Sequence, residues 1–425
     1  MAPSDGGHLM PATEDAGPLE GLRVIEIGDR GEIAGKLLAD AGAEVVRVEP
    51  LAGVRSRHLG PFVRDDPSRG SLQFAARNTS KRSITLEIEA GGLDLWRQLV
   101  DQSDVVIDSL GPGILDALDS GWEAARHERL IWCAISPFGL SGPRRDWATT
   151  DLISLALGGP MMSTGYDDHD LPPIRADGEH SVALSNVYAV SGILAALWMR
   201  GAAGEGQLID VSIHEAISAT TEGAFANWEF LGRLVQRQTG RHSSPDPTAP
   251  WQLRSRDGRD ILLLGGGIPR DRRVWVHLLD WMEEHDAVAD LRDGQYEDVL
   301  YVDPRHEVGL RRHVAETISA FASQLDAEEM YRRAQSIRLP WAIVRRPEDN
   351  LDDPHWEDRD FWWQGDVPEF DGQVRYPGAP YRFTKSPVRL RRRPPLLGEH
   401  NYEVYVDELG LSQTDYRGRL KSGFI

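Results

Sequence analysis

The sequence predicts an α/β protein whose larger part is a doubly wound parallel sheet. Three observations predict it. Short β-branched runs at residues 22–27 (LRVIEI) and 44–48 (EVVRV) bracket a helical pattern at 32–41, the spacing of a βαβ unit. The theme repeats: a strand at 83–88, a helix at 93–100, and strands at 104–107 (DVVI) and 130–136. A strand at 261–264, followed by helical patterns at 272–283, 308–323 and 326–335, then marks a second, central α/β region.

The remaining segments read in order. Residues 1–18 are polar and rich in Gly and Pro, with no apolar stretch of the secretory kind, and read as a disordered tail. Residues 19–222 form the first part of the large domain and 223–335 the small one, with 336–425 a linker and return of strand-and-loop character that carries a basic, proline-containing run at 389–395. The polar segment 240–250 (GRHSSPDPTAP) has the length of a lid or binding loop. Gly265-Gly266-Gly267 reads either as a phosphate cradle or as a flexible turn.

Composition narrows the function. A chain of 425 residues can build two cored domains. Its formal net charge of -20 argues against sequence-independent nucleic-acid binding, which needs a basic footprint. The one cysteine, Cys133, cannot form an intrachain disulfide and lies in a strand-like run, so it reads as a buried structural thiol in a reducing cytoplasm. The longest apolar stretch, 187–199, is too short to span a bilayer, so no membrane partner is expected. No GxGxxG follows the first strand, and no P-loop, HExxH or zinc-type spacing occurs, so no metal site is expected and the histidines are scattered. Of the bulky aromatics, Trp251, Phe361, Trp362 and Trp363 read either as the lining of an apolar pocket or as core.

Several stretches, in order and at matching spacing, resemble the family III CoA-transferases (the CaiB/BaiF/formyl-CoA transferase family, which includes the α-methylacyl-CoA racemases). They are 37–50 (LLADAGAEVVRVEP), 78–83 (NTSKRS), 104–118 (DVVIDSLGPGILDAL), 138–143 (FGLSGP), 204–213 (GEGQLIDVSI), 376–383 (YPGAPYRF) and 395–400 (PLLGEH). The resemblance covers nearly everything from about residue 19. It implies a large Rossmann-like domain built from both chain ends, a small central α/β domain, an interlocked dimer, and a site between domains.

It also implies a site, and there this chain departs. In the segment 171–197 (LPPIRADGEHSVALSNVYAVSGILAAL), counting back from residues 192–197 and forward from Pro172-Pro173 places the family's catalytic aspartate at Val182. A carboxylate there would attack an acyl-CoA and carry the acyl group as an anhydride; an isopropyl group cannot. No catalytic residue is therefore assigned, with Glu179 and Asp177, beside His180, as fallback carboxylates if the loop is rebuilt. The loop 28–34 (GDRGEIA) is about two residues shorter than its counterpart and lacks Ala-Gly-Pro, and Thr150 stands where racemases place a histidine. Glu89 and Ala117 replace a lysine and an arginine near the CoA phosphates, a loss of several kcal/mol of attraction in a partly desolvated site. Arg55, Arg57, Lys81 and Arg82 are the cations left to compensate, unless they form a solvated basic face, and Arg47 is a further candidate contact to the CoA thioester. Asp151 matches a pantetheine contact, Ser109 and Leu110 the adenosine-side turn before Gly111-Pro112-Gly113, Asp210 a strand cap, and Glu399-His400 an interdomain, structural signature.

Three functions remain. The first is the nucleophile-lacking subunit of a heterodimeric acyl-CoA:carboxylate CoA-transferase, paired with a homologous aspartate-bearing subunit. The second is a homodimeric enzyme acting on an acyl-CoA or carboxylic acid without an anhydride, and the third a non-catalytic ligand-binding scaffold. A coenzyme A thioester is the expected substrate, and no covalently bound cofactor is expected.

Overall fold

The structure, a computed structural model, describes residues 16–300, 308–367, 370 and 372–425. The proposed tail lies outside the described residues up to position 15. Beyond it, Leu19 already donates its N–H to the carbonyl of Ala41 at 3.0 Å.

Two compact units form, and the chain crosses between them more often than the sequence suggests. The first comprises residues up to Leu157, then Asp177–Ala219 and Asp352–Ile425; the second comprises Gly158–Ala176 and Thr220–Leu351. The excursion at Gly158–Ala176 was not foreseen. Arg237 holds it in the second unit by donating to the carbonyls of His169 (3.0 Å) and Leu171 (2.7 Å), and Arg241 pairs with Asp167 at 2.7 Å.

The first unit is a six-stranded sheet with every pairing parallel: β1 (Arg23–Ile27), β2 (Glu44–Glu49), β3 (Arg82–Thr85), β4 (Val105–Asp108), β5 (Ile131–Ser136) and β6 (Leu208–Ser212), in the order β3-β2-β1-β4-β5-β6. That is the doubly wound order, reversing between β1 and β4. Alternation within strands explains why both faces bury apolar side chains. Val24, Val45, Val105 and Ile131 enter one core, with Ala34 and Leu38 of α1 (Glu32–Asp40). Ile25, Val46, Val106 and Trp132 enter the other. Crossing segments supply α2 (Leu72–Arg77), α3 (Leu93–Asp101), α4 (Trp122–Ala125), α5 (Asp151–Leu157), α6 (His180–Ala203) and α7 (Ile213–Ser218). Leu95, Trp96 and Leu99 of α3 join the second core; Ala189, Ile193 and Ala196 of α6 join the first.

The second unit holds α8 (Glu222–Leu231), the hairpin β7 (Gln236–Gln238) and β8 (Arg241–Ser244), and an antiparallel sheet of β9 (Gln252–Arg254), β10 (Asp260–Leu263) and β11 (Trp341–Ile343). Its helices α9 (Arg272–Glu283), α10 (Val308–Ala322) and α11 (Ala327–Ser336) cover a core in which Trp281 meets Phe321 at 4.9 Å and Trp341 at 5.8 Å between ring centroids. The segment read as a polar lid is thus partly strand β8. The triple glycine is a turn with left-handed backbone at all three residues, and a Cβ on Gly267 would lie 2.6 Å from Ile318. Close packing is the reason for glycine at 267.

The C-terminal return is more helical than its composition suggested. After α12 (Pro354–Asp358) and the hairpin β12 (Trp362–Val367)–β13 (Gly372–Pro377), it ends in helical turns and α13 (Gln413–Ser422). Its signature docks on the open edge of β3. His400 N–H donates to the Ser83 carbonyl (2.9 Å), His400 Nδ1 accepts from Ser83 N–H (3.2 Å), Asn401 Oδ1 accepts from Thr85 N–H (2.8 Å), and the Tyr405 hydroxyl donates to the Thr85 carbonyl (2.8 Å). An otherwise unpaired edge strand is thereby satisfied within the first unit.

Candidate active site at the switch point of the sheet

The corner where β1 and β4 end is stitched together by two polar side chains. Gly28, at φ +85°, leaves β1 so close to Ser109 that a Cβ would lie 2.7 Å from the Ser109 hydroxyl. Ser109 Oγ accepts from the N–H groups of Arg30 (3.0 Å) and Gly31 (3.2 Å) and donates to the Ile27 carbonyl (3.1 Å). From the other side Asn186 of α6, fully buried, accepts from Ala34 N–H through Oδ1 (2.8 Å) and donates through Nδ2 to the carbonyls of Arg30 (2.6 Å) and Val182 (2.7 Å). The loop after β1 therefore spends the amides of Arg30, Gly31 and Ala34 on its own scaffold.

Val182 stands at this corner. It is the third residue of α6, half-buried, one turn before Asn186. Ser181 before it donates its N–H (2.8 Å) and hydroxyl (2.7 Å) to the same oxygen of Asp151. Glu179, the residue preceding the helix, accepts from Gln73 Nε2 at 2.9 Å and from the guanidinium of Arg77, both on α2. Asp177 is exposed, and its carbonyl accepts from His180 Nε2 at 2.6 Å. Position 182 thus presents an apolar side chain just after a buried serine held by Asp151, and Glu179, which precedes the helix, is tied to a guanidinium.

The candidate cations divide sharply. Arg47 and Lys81 are fully buried: Lys81 Nζ lies 2.7 Å from Glu26 and donates to the Glu32 carbonyl and Asn78 Oδ1 (2.8 Å each), while Arg47 pairs with Glu26 and, at 2.8 Å, with Glu32. Burial pushes the Lys81 ammonium down to about 8 against the opposing pull of Glu26. Both are held in internal ion pairs rather than on a solvated face. Arg57 is locked in a two-pronged pair with Glu49 (2.7 Å each) over the Phe74 ring, and Arg82 is shared among Glu44, Glu403 and Glu408. Arg55 is exposed and makes no ion pair among the described residues.

Glu89, Ala117 and Thr150 are exposed, Thr150 accepting from Ile153 N–H at 3.4 Å within the first turn of α5. Asp210 accepts from Leu140 N–H through both oxygens (3.1 and 3.0 Å), as a strand-end cap does. Cys133 is buried in β5, which pushes its thiol up to about 12. No grouping of metal-ligating side chains occurs among the described residues. Sequence reasoning missed two residues. Asn186 was legible only as a lone amide in an apolar helix. Asp108 ends β4, where burial pushes its carboxyl up to about 6 despite hydrogen bonds from Leu110 N–H (3.1 Å) and Trp132.

Helix α6 is 24 residues long, and by length and composition it could cross a membrane. Its buried side chains instead pack on the sheet, while Val187, Tyr188, Leu194, Trp198 and Met199 stay exposed.

A doubly wound sheet with its edge strand sealed by the C-terminal segment, and a smaller α/β unit assembled from interior stretches, defines a class of two-unit α/β proteins organised around a switch-point corner. Within that class the chain belongs to CoA-transferase family III, whose model matches residues 19–401. It is similar to the BbsE subunit of succinyl-CoA:(R)-benzylsuccinate CoA-transferase from Thauera aromatica, at 28% identity over 95% of this chain and 97% of that one. It is also similar to the alpha subunit of succinyl-CoA--L-malate CoA-transferase from Chloroflexus aurantiacus, at 27% identity over 95% of this chain and 92% of that one. Among solved structures it resembles a CAIB/BAIF family protein from Brucella suis, with a TM-score of 0.76 and 26% identity over 92% of this chain and 100% of that one.

Proposed function

We propose that this chain is the nucleophile-lacking subunit of a heterodimeric acyl-CoA:carboxylate CoA-transferase, acting in the cytoplasm beside a homologous subunit that keeps the aspartate. The observation that carries the reading is Val182 in the first turn of α6, with Glu179 held by Arg77 and Gln73 instead of facing a substrate. In the pair, the partner's aspartate attacks the thioester carbonyl and expels CoA as thiolate, leaving the acyl group as a mixed anhydride. Relatives named as subunits of CoA-transferases support the assembly, as does the uncovered apolar stripe on α6. Ser109, Leu110, Asp151 and Arg55 are the residues assigned to a CoA thioester. A second reading, a homodimeric enzyme acting on an acyl-CoA or carboxylic acid without an anhydride, is favoured only by Asp108, whose carboxyl burial pushes up to about 6 beside the switch point.

The test is to express the chain alone and with a family member encoded beside it that carries aspartate at the matched position, then incubate each with acyl-CoA. A hydroxylamine-sensitive adduct found by intact mass on the partner only is the expected result. Such an adduct on this chain overturns the reading.

A further inference from the structure

The aromatic run at Phe361 and Trp362, left open in the sequence between pocket and core, resolves in part into a cavity. In the first unit α12 and the start of β12 place Trp356 edge-on against Phe361 (ring centroids 4.4 Å apart) and stacked on Trp362 (5.5 Å). A cavity of about 250 Å³ opens beside them, walled by Trp356, Phe361 and Pro380 and ringed by His355, Arg359 and Arg382. The approach of the two chain segments is tight: Gly378 N–H donates to the Phe361 carbonyl at 2.8 Å, and a Cβ on Gly378 would lie 2.5 Å from that oxygen. Trp363, in contrast, packs under Lys36 and against a small core, and Trp251 meets His242 in the second unit.

The lining is unusual for this chain. The whole protein carries a net charge of -20, yet among the described residues no carboxylate lines the cavity while two guanidiniums and an imidazole do. Arg359 makes no side-chain bond among the described residues. Among the described residues Arg382 has one partner, Asp360 at 3.3 Å, in a solvated pair that an incoming anion can replace. Aromatic walls favour a flat ring stacked or edge-on, and a guanidinium favours a planar, two-pronged carboxylate. The volume suits a body of roughly ten to fifteen heavy atoms, at the small end of ligand pockets. We propose that this cavity binds a small aromatic monocarboxylate, its ring against Trp356 and Phe361 and its carboxylate between Arg359 and Arg382. The site shares no residue with the corner at Val182 and does not depend on how that corner works.

Fluorine NMR on the purified full-length chain tests it with 4-fluorobenzoate as the probe and 4-fluorobenzyl alcohol as the uncharged control. The expected result is saturable broadening of the benzoate signal, at least tenfold weaker for the alcohol. The exposed changes Arg359→Gln and Arg382→Gln together should weaken benzoate binding at least tenfold while leaving the melting temperature in place. Equal binding of acid and alcohol, unchanged binding in the double variant, or no broadening at millimolar probe each overturns the proposal. A benzoate site elsewhere, including one at the CoA-transferase corner, would show itself by surviving the double substitution.

Discussion

One carboxylate oxygen of Asp151 accepts both the backbone N–H and the hydroxyl of Ser181, so the residue just before Val182 is pinned to α5. The first turn of a helix has N–H groups without intrahelical partners, and Ser181 is fully buried, so nothing else satisfies this one cheaply. Asp151→Ala is expected to cost about 1–3 kcal/mol of stability, read as a lower urea midpoint at unchanged slope. Asp151→Asn, which keeps an acceptor oxygen, should recover most of the loss. If both variants unfold like the parent, the pin contributes nothing.

Val182→Asp will not by itself create a transferase. The variant should fold, because an acid in the first turn of α6 interacts favourably with the helix dipole, by about 0.3–1 kcal/mol. The new carboxylate would still face a loop whose Arg30, Gly31 and Ala34 amides are already engaged, and on the proposed reading Glu89 and Ala117 offer no cation to the CoA phosphates. Incubated with acyl-CoA, the variant should show no hydroxylamine-sensitive adduct by intact mass. Robust acyl transfer would mean that the rest of the site is intact.

How much of this was legible in the sequence depends on the range of the interaction. The strands of the sheet were readable because a parallel sheet buried on both faces needs continuous β-branched runs, and Val45-Val46 and Val105-Val106 each send one side chain into each core. The expectation at Val182 rests on a count along one helix, a short-range argument. Arg47 and Lys81 offered no such short-range signal. Their partners, Glu26 and Glu32, lie on a neighbouring strand and helix, so a buried ion pair looks in sequence like a solvated basic face. Asn186 could not be assigned either, because it joins Arg30 and Ala34, some 150 residues away along the chain.

That difference is itself testable. Arg47→Met leaves Glu26 and Glu32 short of a cation in a dry interior, and should cost about 3–5 kcal/mol or abolish folding. Arg55→Ala removes an exposed charge and should leave the urea midpoint in place. If Arg55 meets a CoA phosphate, calorimetric titration with CoA should show a loss of up to about fivefold, in keeping with roughly 1 kcal/mol for a solvated pair. Equal destabilisation by the two changes would remove the distinction.

His400 makes the fold sensitive to mild acid. Burial, above the opposing effect of Glu399, holds its imidazole below the usual 6.5, and its Nδ1 must stay unprotonated to accept Ser83 N–H. The unfolded chain therefore takes up the proton first as pH falls. The stabilisation is complete above about 6.5 and is lost as pH drops through the lower folded value. The Glu49 carboxyl, held below 4.5 by Arg57 and Arg47 against its burial, acts only in more acid solution, while Asp108 and Lys81, pushed to about 6 and about 8 by burial, act alike in parent and variant, so the difference between the two proteins from pH 7.5 to 5.5 isolates the histidine. His400→Asn keeps an acceptor without a titration. Its melting temperature should change less between these two pH values than that of the parent, and equal changes would exclude His400 as the cause.

The stripe Val187, Tyr188, Leu194, Trp198 and Met199 lies along one side of α6, opposite the residues that enter the sheet core. Trp198 is 81% exposed, an extreme position for a tryptophan in a chain whose largest buried side chains include four others. A stripe of this size is either covered by protein or a liability in water. Covered, an indole at its centre is the kind of residue on which an interface turns, with truncation costing about 2 kcal/mol or more. Trp198→Glu should therefore shift sedimentation velocity from a dimer, with itself or with an aspartate-bearing partner, toward the monomer. The first unit's sheet core should stay intact, because Ala189, Ile193 and Ala196 still face it. A variant that sediments as the parent does would move the interface elsewhere. Recovery of the parent protein only with detergent or lipid would instead assign the stripe to a membrane.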